Sequence, residues 1–143
     1  MENNKVVDVL NHIVERELAG AVRYTQYSLM VFGHGRIPIV SWMRQQANEA
    51  LMHAAEAGEE VTTRGGRVSL AIAELTGVQH DHVDDIMKEM LVHERKGIEL
   101  YRHLLEMVAG SEVSLEEFAR QKIRNEEMHV SEIEKMLKRR GDA

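Results

Sequence analysis

The chain has 143 residues, 43% of them apolar, and a formal net charge of -6 at pH 7. That length and apolar content suit one compact domain spanning 1–143 with a sizeable core, and the acidic balance with no clustered basic face argues against nucleic acid as a partner. With no cysteine, disulfides and thiolate metal sites are excluded. No apolar run approaches the roughly 18 residues of a membrane span, and the polar start Met1–Asp8 has no signal-like apolar stretch, so a soluble, cytoplasmic protein without a membrane partner is expected.

Helix formers dominate, there is one proline, and β-branched residues never alternate with polar ones for long, which predicts an all-α fold. A first helix is expected over about 6–32, where Val6, Leu10, Ile13, Glu17, Ala21, Tyr24, Ser28 and Val31 recur at spacings of three and four. Gly33, His34 and Gly35 end it. Pro38 suits the first turn of a second helix over about 38–64, because its missing N–H is not needed there, and Gly65 and Gly66 stop that helix.

The segment RVSLAIAELTGVQH, Arg67 to His80, has neither a helical nor a strand period and reads as an ordered crossover. If the helices on either side of it run parallel, the chain must travel roughly 40 Å between them, the length of a 27-residue helix. About 14 extended residues cover that span. A four-helix bundle with one long crossover between helices two and three is therefore expected. The third helix is placed at about 81–109, with Val83, Met87, Met90, Glu94, Ile98, Tyr101, Leu105 and Val108 on its stripe and Gly110 closing it. Ser114 to Glu117 reads as a capping box opening a fourth helix, placed at about 115–139. Its stripe is Leu115, Ala119, Ile123, Glu126, Val130, Ile133 and Leu137, and the tail KRRGDA is expected to fray.

Subtracting positions brings out a repeat. Glu17 and Glu94, Tyr24 and Tyr101, and Glu49 and Glu126 are each 77 residues apart, and His53 and His129 are 76 apart. A repeat that keeps carboxylates, tyrosines and imidazoles while changing most residues between them looks like a duplicated ligand set. Glu17, Glu94 and Glu126 lie inside apolar stripes, where a bare carboxylate costs several kcal/mol of desolvation unless it is paired or bound to a metal. Glu126 and His129 form Glu-x-x-His, which on a helix leaves the two side chains about 60° apart, within reach of one ion. Carboxylates completed by imidazole suit iron or manganese better than zinc.

The stretches ELAGAVRYTQY, HERKGIELY and NEEMHVSEIEKML, combined with that ligand pattern, resemble the bacterioferritin branch of the ferritin-like di-iron carboxylate proteins, over about residues 6–137. The resemblance implies a ferritin-like four-helix bundle and iron storage or detoxification with ferroxidase activity, oxidising Fe(II) with dioxygen or peroxide. It implies Glu17, His53, Glu94, Glu126 and His129 as ligands of a di-iron centre, with Tyr24 as the tyrosine beside it. Glu17 and His53 would serve one iron and Glu94 and His129 the other, with Glu49 and Glu126 bridging. Manganese is admitted by the same donors. A homo-oligomer, of which a hollow cage is one form, is implied as well.

The chain departs from the family pattern in three places. Ala50 stands where the family has a Glu three residues before the helix-two His, and the nearest carboxylate, Glu49, is four residues before it. A local π-bulge between Glu49 and His53 is expected to restore the geometry. Leu51 stands where the haem-ligating Met would be, and Met52 points about 100° away, so no haem is expected. Bacterioferritins carry a short fifth helix, and this chain stops shortly after the fourth.

The remaining candidates take blander readings. His34, His80 and His82 are expected in solvent, His12 and His103 as pocket or access residues, and His93 faces away from Glu94. The nine methionines read as core filler. Tyr24 and Tyr101 fit either core positions or places near metal, and Trp42, Arg36 and residues 37–40 fit packing or subunit contacts. Two other functions fit the same residues. One is a non-storing di-iron or di-manganese oxidoreductase such as a peroxide scavenger. The other is a metal-free helical scaffold, in which alanine at Glu17, Glu94 and Glu126 would be neutral or stabilising.

Overall fold

The computed structural model describes residues 2–75 and 80–138. These residues form four α-helices and no strand: α1 (Glu2–Met30), α2 (Arg36–Thr63), α3 (Val83–Val108) and α4 (Val113–Leu137). The chain divides into two compact units, Met1–Asp81 with α1 and α2, and His82–Ala143 with α3 and α4. All four predicted helices are present, with ends displaced by a few residues. The predicted last residue of the fourth helix, Arg139, and the rest of the tail to Ala143 lie outside the described residues, as do residues 76–79 of the crossover.

In the first unit the whole predicted stripe of α1 is buried, from Val6 through Leu10, Ile13, Glu17, Ala21, Tyr24 and Ser28 to Val31. Leu10 and Ile13 are almost fully enclosed, and each such side chain contributes about 1.5–3 kcal/mol. The buried side of α2 carries small residues, Ala47, Ala50, Ala54, Ala57 and Gly58, through its middle, with Val40 and Met43 before them and Val61 after. Pro38 sits in the first turn of α2, as its fixed φ favours. At the other end Gly65 has φ 77°, and the Gly65 and Gly66 N–H groups donate to the Thr62 and Val61 carbonyls at 3.0 Å each. This is the Schellman closure, in which left-handed glycine turns the chain back on the last carbonyls.

The segment that follows is ordered without being regular. The Asn11 amide donates to the Arg67 carbonyl at 2.9 Å and its oxygen accepts the Ser69 N–H at 2.9 Å, while the Ala73 N–H donates to the Glu15 carbonyl at 3.0 Å. Three contacts to α1 thus satisfy backbone groups that a helix or sheet would otherwise pair. Val68, Leu70 and Ile72 stay exposed.

The expected π-bulge is absent: α2 is α-helical throughout 36–63. No extra residue needs to be absorbed, because at 100° per residue Glu49 and His53 already lie about 40° apart on one face.

In the second unit Met87, Met90, Glu94, Ile98, Tyr101 and Val108 of α3 are buried, and the Tyr101 ring meets Phe118 of α4 edge-on at 6.1 Å. Leu115, Ala119, Glu126 and Ile133 bury the inner side of α4. Two stripe positions shift in this unit, because Leu104 and Lys122 are buried where Leu105 and Ile123 are only half-buried. The capping box does not form. Gly110, with φ 78°, lets the Ser111 and Glu112 N–H groups return to the Val108 carbonyl, and after this tight turn the chain enters α4 at Val113. Ser114 is then already helical, and the N-cap Glu112 makes no side-chain cap bond.

Candidate metal centre

Helix periodicity brings the predicted ligands together within each unit. In the first, Glu17 projects from the middle of the α1 stripe and His53 from the inner face of α2. The His53 Nδ1 lies 2.7 Å from Glu17 Oε2, with both side chains nearly enclosed. On the other edge of the ring, His53 Nε2 lies 3.5 Å from Glu49 Oε1, whose side chain is about one-third exposed. The two carboxylates therefore address opposite nitrogens of one imidazole. Glu17 and His53 form the buried pair, and Glu49 stands at the rim behind the ring, where a carboxylate fixes the orientation and tautomer of a ligating histidine. Ala50, at the position where the family has a carboxylate, is buried.

In the second unit Glu94 of α3 meets Glu126 and His129 of α4. The Glu-x-x-His spacing puts His129 Nδ1 3.4 Å from Glu126 Oε2, and the same nitrogen is 3.9 Å from Glu94 Oε2. One ligand atom from each of the three residues falls within 4.8 Å of the others, a grouping able to hold a metal ion. Burial and the neighbouring Glu126 carboxylate, which accepts a hydrogen bond from it, push the Glu94 carboxyl well above the ordinary range, and His129 offsets this in part. Two buried carboxylates at this distance resist both being ionised unless a cation joins them.

Tyr24, two turns beyond Glu17 on the same stripe, is buried edge-on to Tyr27 at 6.3 Å. Tyr101 holds the equivalent position on α3 and is likewise buried. His12, His34, His82 and His103 are exposed, and His80 and His93 half-buried. Three buried polar residues escaped the sequence reading: Arg23, whose guanidinium lies over Tyr27, and Gln46 and Lys122. A signal for the last two was present. Each lies seven residues before its unit's histidine, two helical turns and so nearly the same face.

The family model described as "Ferritin-like domain" matches residues 7–140, and the chain belongs to that family. Among solved structures it is similar to a ferritin-like diiron-carboxylate protein from Bacillus anthracis, with TM-score 0.89, 19% identity, and 96% of this chain and 99% of that one covered. It is similar also to a bacterioferritin-related dodecameric thioferritin from Bacteroides fragilis, with TM-score 0.88, 18% identity and coverage of 94% and 85%. A third is Rhodobacter capsulatus bacterioferritin, with TM-score 0.86, 19% identity and coverage of 94% and 84%. No curated protein matches the sequence. The fold is accordingly the all-α ferritin-like four-helix bundle, expected from helix periodicity and the ligand repeat. Among the described residues no helix is long and apolar enough to cross a membrane.

Proposed function

We propose that the protein stores and detoxifies iron, binding Fe(II) as its substrate and oxidising it to Fe(III). The observation that carries this reading is the pairing, in each unit of a ferritin-family chain, of a buried glutamate with a histidine at repeated positions. The donor set fits the ion: hard carboxylates and imidazole with no thiolate favour iron or manganese. The raised Glu94 carboxyl marks a place where a cation would replace a proton.

In this proposal Glu17 and His53 hold one Fe(II), and Glu94, Glu126 and His129 hold a second. Glu49 keeps the His53 ring in place from Nε2, and to ligate an ion itself its carboxylate must leave that nitrogen. Two Fe(II) supply two electrons, which with two protons reduce dioxygen to hydrogen peroxide or peroxide to two waters. Tyr24 is the proposed catalytic group beside the centre. The Bacteroides fragilis neighbour is a dodecamer, and a homo-oligomer is proposed for this chain on that likeness.

Anaerobic calorimetric titration of the metal-free protein with Fe(II) tests the ligand set. Two ions per chain, falling to one or none in Glu94→Ala and His129→Ala, are expected. Unchanged stoichiometry in both variants would refute the assignment.

A further inference from the structure

A second feature of the first unit lies outside the glutamate and histidine set. The first half of α2 carries a groove of about 460 Å³ lined by Arg36, Ile37, Val40, Ser41, Arg44, Gln45 and Asn48. Of its lining only Val40 is buried, and Ile37, Ser41, Arg44, Gln45 and Asn48 are exposed, so the groove is open to solvent. Its floor is the buried Val40, and its rim offers two guanidiniums, one hydroxyl and two amides. No carboxylate lines it. In a chain with 24 acidic and 18 basic residues, α2 has no acidic residue from its start to Asn48, and its first turn carries none to offset the helix dipole.

Both arginines are held by the Nε alone. Arg36 Nε donates to the Val31 carbonyl at 2.8 Å, and Arg44 Nε donates to Ser28 Oγ at 3.3 Å, the hydroxyl itself donating to the Thr25 carbonyl at 2.7 Å. Ser28 lies in the last turn of α1 and Val31 is the residue after its end, so both arginines reach back to the same end of that helix. Neither arginine has a carboxylate partner among the described residues, so the terminal Nη groups of both forks remain for an outside acceptor.

We propose that this groove is an oxyanion site that takes a phosphate dianion, gripped by the Nη groups of Arg36 and Arg44 with Ser41, Gln45 and Asn48 as neutral donors. Planar guanidinium forks match tetrahedral phosphate oxygens in a way that a lysine cannot. The site is independent of the iron reading and stands or falls without it. Inorganic phosphate and the phosphomonoester of a small metabolite present the same chemistry.

The test is calorimetric titration of the metal-free protein with inorganic phosphate, and separately with AMP, at constant ionic strength set by chloride. Saturable binding of one phosphate per chain is expected, weakened about tenfold or more in Arg44→Gln and in Ser41→Asp. The second variant leaves both arginine tethers intact and only adds a repelling carboxylate, so a folding defect in the first does not decide the matter. Tighter binding of AMP than of phosphate identifies an ester as the ligand, and the reverse identifies the free ion; either supports the site. No saturable binding to the wild-type protein, or equal affinity in wild type and Ser41→Asp, would overturn the proposal.

Discussion

Glu94 makes a quantitative demand on the metal-free protein. Its carboxyl is 5% exposed and is raised well above its ordinary value, first by burial and then by Glu126. In the unfolded chain it titrates near 4.5. Below that pH both states hold the proton and its contribution is fully present. As pH rises toward the folded value, unfolding releases a proton and stability falls, by about 1.4 kcal/mol for each pH unit. Above the folded value the slope vanishes. Glu94→Gln keeps the shape and removes the titration, so the variant should gain on the wild type by that slope from about pH 4.5 upward, read as urea midpoints by circular dichroism in the presence of a chelator. Bound metal should reverse the sign, because the ion takes the proton's place and stability then rises with pH. Parallel pH profiles for wild type and Glu94→Gln would refute the reasoning, since the carboxyl would then be as free to ionise in the fold as outside it.

Other consequences follow from single contacts. A Cβ at Gly66 would lie 2.8 Å from Val7 Cγ1 and 3.1 Å from Val61 Cγ1, so Gly66→Ala should cost about 1–3 kcal/mol of thermal stability; an unchanged melting temperature would contradict the close approach. Asn11→Ala removes both hydrogen bonds that pin the start of the crossover, worth about 0.5–1.5 kcal/mol each, and amide exchange at Ser69 should accelerate while α3 keeps its protection. Glu49→Ala should weaken Fe(II) binding by about 10–100-fold, the scale for a residue that orients a ligand, and Glu17→Ala by more. Equal losses would make Glu49 a ligand of the same rank as Glu17.

The stripes of α1 and α3 were legible because large apolar side chains recur at helical spacing and the glutamates fall in step with them. The ligand repeat was legible for the same reason, as position differences of 76 and 77. On α2 the stripe Val40, Met43, Ala47, Ala50, Ala54, Ala57 and Val61 keeps the same spacing but is mostly alanine, and the family pattern suggested a bulge that regular α geometry made unnecessary. The start of α4 was misread because the turn at Gly110 uses its residues sooner than a cap at Ser114 would require. The buried Lys122 went unseen because Ile123 beside it satisfies the apolar pattern equally well, yet the chain turns the lysine inward, where its ammonium lies 5.4 Å from the Phe118 ring. The tethered arginines of α2 depend on α1 acceptors that spacing within α2 cannot reveal.

The most direct test of the central claim is aerobic addition of Fe(II) in steps far beyond two per chain, following oxidation by absorbance and particle mass in the same samples. Rapid oxidation on a large homo-oligomer that goes on accumulating Fe(III) in solution is the predicted result. Oxidation that stops at two irons per chain on a small oligomer, or iron that precipitates as fast as it does without protein, would contradict storage.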